Sequence, residues 1–357
     1  MSTCLGCNIS LTRMIQICEN KDRILNFILS HNLIAQHVAC PKCNTTLNLD
    51  WENHRFRCQR AHFDDESRNE AQSDVEGGNK LKKRRKKYQF KQSCFAGTYF
   101  SRAKLSVDKV LMLTVAWLRM PSGVYNFVNE ELGISDKTIS DWISFSREVV
   151  IHWCFENSEQ IGGEGDVVEI DEAKLGKRYS NRGRPIKNGQ WILGGVSRSN
   201  NRKVFVEAVE RRTAKVMIPI IRKWVAPGTI IMTDKWRSYN RLYQFKYQHK
   251  SVNHSLTFVD PSDRSIHTQN IERMWREVRN GIPRFGARKE YLFSYLAEFI
   301  FKRAYPIISE RIHQFFLTAA HLYKPKNQVK MKVKRPQAQE PHQASDLVIR
   351  IQMKKER

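Results

Sequence analysis

Apolar residues change their spacing along the chain, and each change predicts a different kind of structure. Residues 11–39 carry apolar positions at helical spacing, and the same spacing returns at 106–119 and 125–131. From residue 162 the apolar residues instead form short runs rich in β-branched side chains, which predict strands. The pattern therefore predicts helices in the first part of the chain and an α/β arrangement after them.

The strand-like runs follow one another in an informative order. DVVEIDEA, QWILGGVSR and KVFVEAVE, at 166–173, 190–198 and 203–210, predict an antiparallel meander. A helix at 213–224, kinked at Pro219, precedes a fourth strand in IIMTD, and the sequence DKWRSYNRL predicts another helix. A fifth strand near 247–252 and a helix in NIERMWREVRN complete the order, which is that of the ribonuclease H-like fold.

The stretch ELGISDKTISDWISFSREVV predicts two helices joined by a short turn. Gly133 ends the first helix and Ser135 can cap the second. This arrangement is typical of a helix-turn-helix that binds DNA. Two ordinary packed helices, with Trp142 and Phe145 in the core, explain the same pattern equally well.

The net charge of the chain indicates the class of its binding partner. The 357 residues include 61 Lys and Arg against 36 Asp and Glu, a net charge of +25. Such an excess is expected of a protein that works on phosphate backbones, so nucleic acid is the leading partner. The longest apolar run, at 110–118, is too short to span a bilayer, and the N-terminus does not resemble a signal peptide. We therefore expect no association with a membrane.

A polar acidic stretch at 64–79 is followed by the basic run KKRRKK at 82–87. The composition predicts a linker or a disordered insertion. The basic run fits a nuclear localisation signal, which would place the protein in the nucleus, or an arm that contacts phosphates. A solvated, mobile segment is the plain alternative.

Eight cysteines without a secretion signal suggest reduced thiols or metal ligands. Cys40, Cys43, Cys58 and His62 have the spacing C-x2-C-x14-C-x3-H, and the Cys-Pro-Lys-Cys turn predicts a structural Zn²⁺ site. Cys94 is an alternative to His62 as the fourth ligand. Cys4 and Cys7 repeat the x2 spacing without a second pair nearby, so we expect free thiols there.

Two acids end predicted strands. Side chains alternate along a strand, so Glu169 and Asp171 share one face, and Asp171 is expected at the strand's end. Asp234 ends the fourth strand, which lies beside the first in this element order. Neighbouring carboxylates repel one another, and a divalent cation between them is the usual reason to tolerate this. Alternatively, Asp234 is only the N-cap of the next helix.

A third acid is expected from the last helix of the α/β part. Ile271, Trp275 and Val278 form its buried stripe, which leaves Glu272 beside that stripe at the edge of the sheet. Glu272 could instead pair with Arg276 four residues later. The three acids together favour a metal site.

These residues resemble a known family, the Merlin superfamily of DDE transposases and their bacterial insertion-sequence relatives. The resemblance lies in EIDEAKLGKR at 169–178, in the NRGRP turn, in QWILGGVSR and APGTIIMTDKWRSY, and above all in HTQNIERMW at 267–275. Together these motifs cover most of 162–303. Several motifs in the correct order are more specific than any single acid.

The resemblance implies a catalytic triad of Asp171, Asp234 and Glu272 that binds two Mg²⁺ or Mn²⁺ ions. It implies that the partner is double-stranded DNA, both terminal inverted repeats and target DNA. On these, metal-dependent cleavage and strand transfer would perform cut-and-paste transposition. It also implies a zinc-ribbon-like N-terminal module and at least a dimer on DNA. His267 and Asn270 match the family run with their roles open. Basic residues beside the first acid could hold the DNA backbone or lie in a solvated loop: Lys174, Lys177, Arg178, Arg182 and Arg184.

The expected organisation has five parts. They are N-terminal helices and the zinc-ribbon-like module at 1–63, a linker at 64–92, a helix-turn-helix region at 93–160, a ribonuclease H-like DDE domain at 161–305, and a C-terminal helix with a basic tail at 306–357. A domesticated DNA-binding protein without catalysis, or a ribonuclease H-like nuclease, would show much the same sequence. Inverted repeats that flank the gene would favour transposition.

Overall fold

A computed structural model describes residues 4–63, 87–121, 123–175, 189–252, 263–282 and 291–326. The basic run KKRRKK therefore lies outside the described residues except for Lys87. The basic side chains at 177, 178, 182 and 184 also lie outside them. Predictions for those segments are unchanged by the structure.

Helices from both ends of the chain form one body. They are α1 (Leu11–Cys18), α2 (Lys21–Ser30), α3 (Val107–Arg119), α4 (Val124–Leu132), α5 (Asp136–Asn157), and, after the α/β part, α8 (Leu292–Ala304) and α9 (Ile308–Leu322). A single apolar core takes side chains from all of them, among them Ile28, Leu111, Val150 and Phe315. The last helix is thereby packed against the first ones.

The turn between α4 and α5 follows the sequence prediction. Gly133 has a φ of +63°, which favours glycine, and its amide donates to the carbonyl of Asn129 at 3.0 Å. Ser135 is the N-cap residue of α5, although its hydroxyl contacts Thr138 and not a backbone amide. Trp142 is buried in the core, whereas Phe145 is 48% exposed, so the expectation that both fill the core is wrong for Phe145.

A small β-structure follows α2. Its strands are β1 (His37–Ala39), β2 (Thr46–Asp50), β3 (Arg55–Arg57), β4 (His62–Phe63), β5 (Lys87–Tyr88) and β6 (Lys91–Ser93). Four of them form a sheet in the order β1-β2-β3-β6, and β4 pairs with β5. Its apolar centre is small and includes three buried cysteine side chains.

The larger sheet sets the first and fourth predicted strands side by side, as the element order predicts. After the short β7 (Ile161–Gly162) come β8 (Val167–Leu175), β9 (Gln190–Ser197), β10 (Val204–Val209), helix α6 (Ala214–Trp224), the short β11 (Val225–Ala226), β12 (Ile230–Asp234), β13 (Gln248–Val252) and helix α7 (Gln269–Gly281). The sheet order is β10-β9-β8-β12-β13. The first three strands are antiparallel, and β12 runs parallel to both β8 and β13.

Helices cover both faces of this sheet. Helix α6 packs with Val168, Ile170 and Ile231 on one face. Helices α7 and α8 pack on the other face with Ala173, Leu175 and their neighbours. The alternation of β8 thus sends Val168 and Ile170 to α6, and Glu169 and Asp171 to the face of α7.

Two local predictions need correction. Strand β8 continues for four residues beyond Asp171, so this acid lies within the strand and not at its end. The segment after Asp234 forms two short 3-10 helices, Arg237–Tyr239 and Leu242–Phe245, instead of one α-helix. Tertiary contacts explain the second difference, because Tyr239 is completely buried and its hydroxyl donates to Glu172. Such contacts outweigh helix propensity over a short segment.

Within the described part of the chain, each helix is too short or too polar to cross a lipid bilayer.

Candidate active site and metal-ligating clusters

The register of the parallel strands brings Asp171 and Asp234 together. Strand β12 pairs with β8 from Ile230 opposite Val167 to Met232 opposite Glu169. Continuing that register by two residues sets Asp234 beside Asp171, with both side chains on the α7 face. The neighbourhood that the sequence predicts for these two acids is therefore present.

Helix α7 lies against the same face and carries the third acid. The indole Nε1 of Trp275 donates to Asp171 Oδ2 at 3.0 Å, which ties the helix to the strand. Glu272 precedes Trp275 by three residues in the first turn of the helix and is half-buried. Residues three apart are neighbours on a helix surface, so Glu272 lies one turn before the residue that contacts Asp171.

A glycine creates the space for this contact. Gly194 is the residue of β9 that pairs with Asp171. A Cβ added at Gly194 would lie 2.5 Å from the Trp275 ring, closer than real Cβ atoms come. A residue without a side chain is therefore required where the indole crosses β9 to reach Asp171.

Electrostatics set Asp171 apart. Its pKa is raised to about 7, first by burial, then by the negative charge of Glu172 and that of Asp234. Its hydrogen bond from Trp275 acts in the opposite direction. A carboxyl that is buried beside other acids, with few donors, is a frequent property of functional sites.

The carboxylates of Asp171, Asp234 and Glu272 do not converge on one point. In the described residues, their carboxylate oxygens do not all lie within 4.8 Å of one another. The donors are carboxylate oxygens from three elements, which is the ligand type that Mg²⁺ and Mn²⁺ prefer. Repulsion between uncompensated carboxylates favours such a separation.

Glu169 shares the face with Asp171, yet it is fully satisfied. Its side chain is completely buried and accepts hydrogen bonds from the backbone amides of Asn270 and Ile271, at 2.9 and 3.1 Å. These amides belong to the first turn of α7, where a negative charge also complements the helix dipole. Glu169 therefore caps α7 from the sheet and fixes the start of the helix that carries Glu272.

The residues of the HTQN run complete this cap. Asn270 Nδ2 donates to Glu169 at 2.8 Å, and Arg198 Nε donates to the same carboxylate at 2.6 Å. The Arg198 guanidinium also donates to the carbonyls of Ser265 and His267. The ring of His267 lies 3.5 Å from Glu169, and its pKa is lowered by burial and by Arg198. In this structure Asn270 and His267 position α7.

Glu172, on the other face of β8, holds the segment that follows Asp234. It accepts from the hydroxyl of Tyr239 at 2.5 Å and from Arg212 at 3.1 Å. The Arg212 guanidinium lies between the rings of Trp191 and Trp236, 4.0 and 4.5 Å from their centroids. Burial raises the pKa of Glu172, and the bonds from Tyr239 and Arg212 oppose the rise. Glu169 thus anchors the helix that carries Glu272, and Glu172 anchors the segment that follows Asp234.

Asp234 also fills its local structural role. Its Oδ1 accepts from the backbone amide of Trp236 at 3.1 Å, at the start of the turn into the first 3-10 helix. The second carboxylate oxygen is not needed for that bond. Capping and metal ligation are therefore compatible for Asp234.

The predicted zinc ligands come together in the small β-structure. The ligand atoms of Cys40, Cys43, Cys58 and His62 all lie within 4.8 Å of one another. Cys43 Sγ lies 3.7 Å from Cys58 Sγ, and His62 Nε2 lies 3.5 Å from Cys40 Sγ. Two sulfurs bound about 2.3 Å from a tetrahedral zinc would be ~3.8 Å apart. The structure gathers a Cys/His cluster that can hold zinc.

The fourth member of that cluster is His62. Cys94 is buried in the same apolar centre, but it is not part of the group. Hydrogen bonding with Thr45 lowers the pKa of Cys43 to about 7, which favours the thiolate that a metal requires. Between the two alternatives from the sequence, the structure brings His62 to the cluster.

Cys4 and Cys7 are not the isolated thiols that the sequence suggests. Their sulfurs lie with His31 and His313 in a second group of potential metal ligands. The spacing could not reveal it, because the partners come from α9 and from the residue after α2.

Lys174 is the one described member of the predicted basic segment beside Asp171. Its Nζ lies 5.5 Å from the centroid of the Trp191 ring. The four other members lie outside the described residues.

Sequence reasoning missed the positioning residues Glu169, Glu172, Arg198, Arg212 and Tyr239. The available signals were indirect. Glu169 and Arg198 lie within the motifs of the family resemblance, and three acids in VVEIDE are unusual for a strand that is buried on both faces. Nothing in a single sequence says which of those acids has partners.

Parts of the chain are similar to known proteins. Residues 162–304 match the model of the ISXO2-like transposase domain. An uncharacterized transposase-like protein of Haemophilus influenzae is 31% identical over 97 residues, which cover 27% of this chain and 76% of that protein. Male abnormal protein mab-31 of Caenorhabditis elegans is 24% identical over 166 residues, which cover 42% of this chain and 37% of that protein.

Among solved structures, a pre-cleavage Mos1 transpososome is 12% identical, with a TM-score of 0.17 over 59% of this chain and 78% of that one. A Mos1 transposase paired-end complex with the left transposon end is 13% identical, with a TM-score of 0.18 over 60% and 80%. Such TM-scores are too low to support an argument, so the assignment rests on the domain match and the bacterial relative. On that basis the chain belongs to the ISXO2-like family of DDE transposases.

Proposed function

We propose that this protein is a DNA transposase that binds element ends and catalyses metal-dependent cleavage and strand transfer. One observation carries the proposal: Asp171 and Asp234 are neighbours on β8 and β12, and Trp275 ties the helix of Glu272 to Asp171. Membership in the transposase family supports it. The reaction class is phosphoryl transfer on DNA in cut-and-paste transposition.

We propose that residues 161–305 form a ribonuclease H-like domain. The supporting observation is the strand order β10-β9-β8-β12-β13, with an antiparallel meander and then two parallel strands. The parallel connections need crossovers, and α6 lies in the first of them. The remaining boundaries predicted from the sequence stay part of this proposal.

Asp171, Asp234 and Glu272 would hold the catalytic ions. Their hard oxygen donors suit Mg²⁺ or Mn²⁺. The pKa of Asp171 is raised by burial and by its acidic neighbours, and such a carboxyl is the kind of group that a cation stabilises as an anion. When bound, two such ions would activate the attacking water or 3′-hydroxyl and stabilise the leaving oxygen.

The chain's own contribution is to hold three carboxylates that repel one another. Glu169 and Arg198 fix the first turn of α7, and so the position of Glu272. Glu172 anchors the segment behind Asp234 through Tyr239. Such anchored side chains lose little entropy when the site closes on an ion and a phosphate.

DNA binding is proposed for three regions. The first is the turn from α4 into α5 as a helix-turn-helix, because the start of α5 exposes Lys137, Ser140 and Asp141. The second is the small β-structure, where Cys40, Cys43, Cys58 and His62 would bind a structural Zn²⁺. The third is the basic segment beside Asp171. The net charge of +25 supports a phosphate-bearing partner.

Assembly and location extend this proposal. A transposase that pairs two element ends would act as a dimer or larger multimer on DNA. The run KKRRKK would direct the protein to the nucleus. Both statements rest on sequence and family resemblance.

The deciding experiment uses the full chain with DNA that carries the inverted repeats flanking its gene. With Mg²⁺, we expect cleavage at the repeat ends and joining of the freed 3′-hydroxyl to a second duplex. DNA that has the same composition but scrambled repeats serves as the control. Binding to the repeats without cleavage would overturn the proposal in favour of a domesticated DNA-binding protein, and cleavage of any duplex would favour a general nuclease.

A further inference from the structure

A second cluster of two cysteines and two histidines lies in the helical body, apart from the acids and from the first Cys/His cluster. The ligand atoms of Cys4, Cys7, His31 and His313 all lie within 4.8 Å of one another. We propose that these four residues form a second structural zinc site, with a Cys2His2 ligand set, that joins the start of the chain to helix α9.

The distances between the ligand atoms suit a tetrahedral ion. Cys7 Sγ lies 3.3 Å from His31 Nε2 and 3.3 Å from His313 Nδ1, and these two nitrogens are 3.3 Å apart. Cys4 Sγ lies 3.7 Å from His313 Nδ1. Ligands bound about 2.0–2.3 Å from a tetrahedral zinc would be separated by ~3.3–3.8 Å. The observed separations fall within this range.

Hydrogen bonds alone do not account for the cluster. His31 Nδ1 lies 2.9 Å from the carbonyl oxygen of Phe27, which can only accept, so Nδ1 carries the proton. In the neutral imidazole Nε2 then has only a lone pair. The three mutual contacts among Cys7 Sγ, His31 Nε2 and His313 Nδ1 thus have at most two protons between them. A cation at the centre satisfies all three.

The bond from His31 to Phe27 is the arrangement that metal-ligating histidines need. A second ring nitrogen that donates to a carbonyl fixes the tautomer and turns the free lone pair toward the ion. His31 is 1% exposed and His313 is 7% exposed, so neither ring is free to turn away into solvent. The backbone amide of Cys4 donates to the carbonyl of Ser30 at 2.8 Å, which holds the cysteine segment beside His31.

The surroundings favour a neutral metal complex. The centroid of the Phe27 ring lies 4.3 Å from that of the His31 ring, and the centroid of the Phe316 ring, on α9, lies 6.2 Å from it. Two thiolates and two neutral imidazoles around Zn²⁺ carry no net charge, so the complex can be buried among these rings at little electrostatic cost. Softer sulfur and imidazole donors select zinc over Mg²⁺.

The site would link distant parts of the chain. Cys4 and His313 are 309 positions apart, and His31 directly follows α2. Helices α2 and α9 contribute to one apolar core, which also contains α3 and α5. A zinc ion that joins them adds its binding energy to the folding of the helical body. This role is independent of the proposed reaction on DNA.

Metal content of the full chain tests the inference. The protein is loaded with Zn²⁺, desalted and measured by elemental analysis, and we expect two ions per chain, one for each cluster. Cys7→Ser and His313→Gln should each lose one ion, and His313→Cys should retain two because it supplies another zinc ligand. Cys18→Ser is the matched control, since this thiol lies in neither cluster and should leave two ions bound.

A second measurement removes the ambiguity of a variant that fails to fold. Cys43→Ser disables the first cluster, and Co²⁺ bound to the remaining site should show the spectrum of a tetrahedral site with two thiolates instead of three. One ion in the wild type that Cys43→Ser abolishes and Cys7→Ser leaves in place would overturn the inference. Two ions retained in both Cys7→Ser and His313→Gln would overturn it as well.

Discussion

Glu169 and Asp171 project from the same face of β8, yet the charged groups around their carboxylates differ in sign. Glu169 faces a guanidinium and two backbone amides at the start of α7. Asp171 faces two other acids, and the indole of Trp275 donates a hydrogen bond to it. The comparison teaches that a buried acid with all its partners positions the fold, whereas one that lacks positive partners is suited to bind a cation.

The largest expected effect is on the cleavage rate when Asp171 is substituted. Asp171→Asn should reduce Mg²⁺-dependent cleavage of repeat-end DNA by roughly 10³-fold or more, because each metal interaction in the transition state is worth several kcal/mol. Asp234→Asn and Glu272→Gln should behave alike. Asparagine caps helices about as well as aspartate, so Asp234→Asn keeps its turn.

The control for that series is structural. Thermal unfolding and repeat-end binding should remain near wild type in all three variants. Wild-type cleavage rates in the three would show that the triad assignment is wrong, and unchanged cleavage in Asp234→Asn alone would reduce Asp234 to a capping residue.

A substitution at Glu169, the acid that has hydrogen-bond and charge partners, should reduce stability more than it affects the chemical step. Glu169→Gln leaves the Arg198 guanidinium without its counter-charge and turns an amide NH₂ toward backbone donors, so we expect about 3–5 kcal/mol less stability toward denaturant. Cleavage should fall mainly because less protein is folded. Glu131→Gln, at the exposed surface of α4, is the matched control and should cost under about 0.5 kcal/mol. A stable, inactive Glu169→Gln would contradict the contrast and make Glu169 part of the reaction site.

The glycine opposite Asp171 provides a steric test. In Gly194→Ala the new Cβ would meet the Trp275 ring at 2.5 Å, so we expect about 1–3 kcal/mol of destabilisation and a displaced indole. Gly281→Ala, in the same helix as Trp275, adds a Cβ with no atom within 4 Å and should be neutral. Equal stability of the two variants would remove the packing argument.

Protons and Mn²⁺ should compete for the Asp171 carboxylate, and this should produce a smaller effect on metal affinity. The raised pKa of about 7 means that Asp171 is largely protonated below that pH, and it must lose its proton to bind a cation. Apparent Mn²⁺ affinity should therefore fall about tenfold per pH unit below about 7 and level off above it. Free Mn²⁺ measured by electron paramagnetic resonance gives the affinity. An identical pH dependence in Asp171→Asn would assign the proton to another group.

The smallest effect concerns the indole that donates to Asp171. Trp275→Phe removes one hydrogen bond and keeps an aromatic ring over Gly194, so stability should fall by about 0.5–1.5 kcal/mol. Because the Trp275 bond lowers the pKa of Asp171, the pH midpoint for Mn²⁺ binding should move upward in this variant. A midpoint that moves downward would mean that Trp275 does not support the anion.

The sequence by itself determined the elements and their order, because these depend on local periodicity and turn residues. It predicted the strands at 166–173, 190–198 and 230–234, the turn at Gly133, and the Cys-Pro-Lys-Cys cluster, whose three cysteine members lie within 19 positions. It also singled out three acids, of which Asp171 and Asp234 lie on strands that are neighbours in the sheet. Each of these signals is complete within a short stretch of chain.

Only the tertiary structure decided which acids have partners and which distant side chains meet. Glu169 receives Arg198 from the end of β9 and amides from α7, about a hundred residues away, and Cys4 meets His313 over 309 positions. The periodicity of apolar residues carries no information about such long-range contacts, because these contacts depend on the register of the strands and on how the helices pack. Residue type and spacing therefore located the candidate acids, while packing determined whether each of them positions the fold or faces a cation.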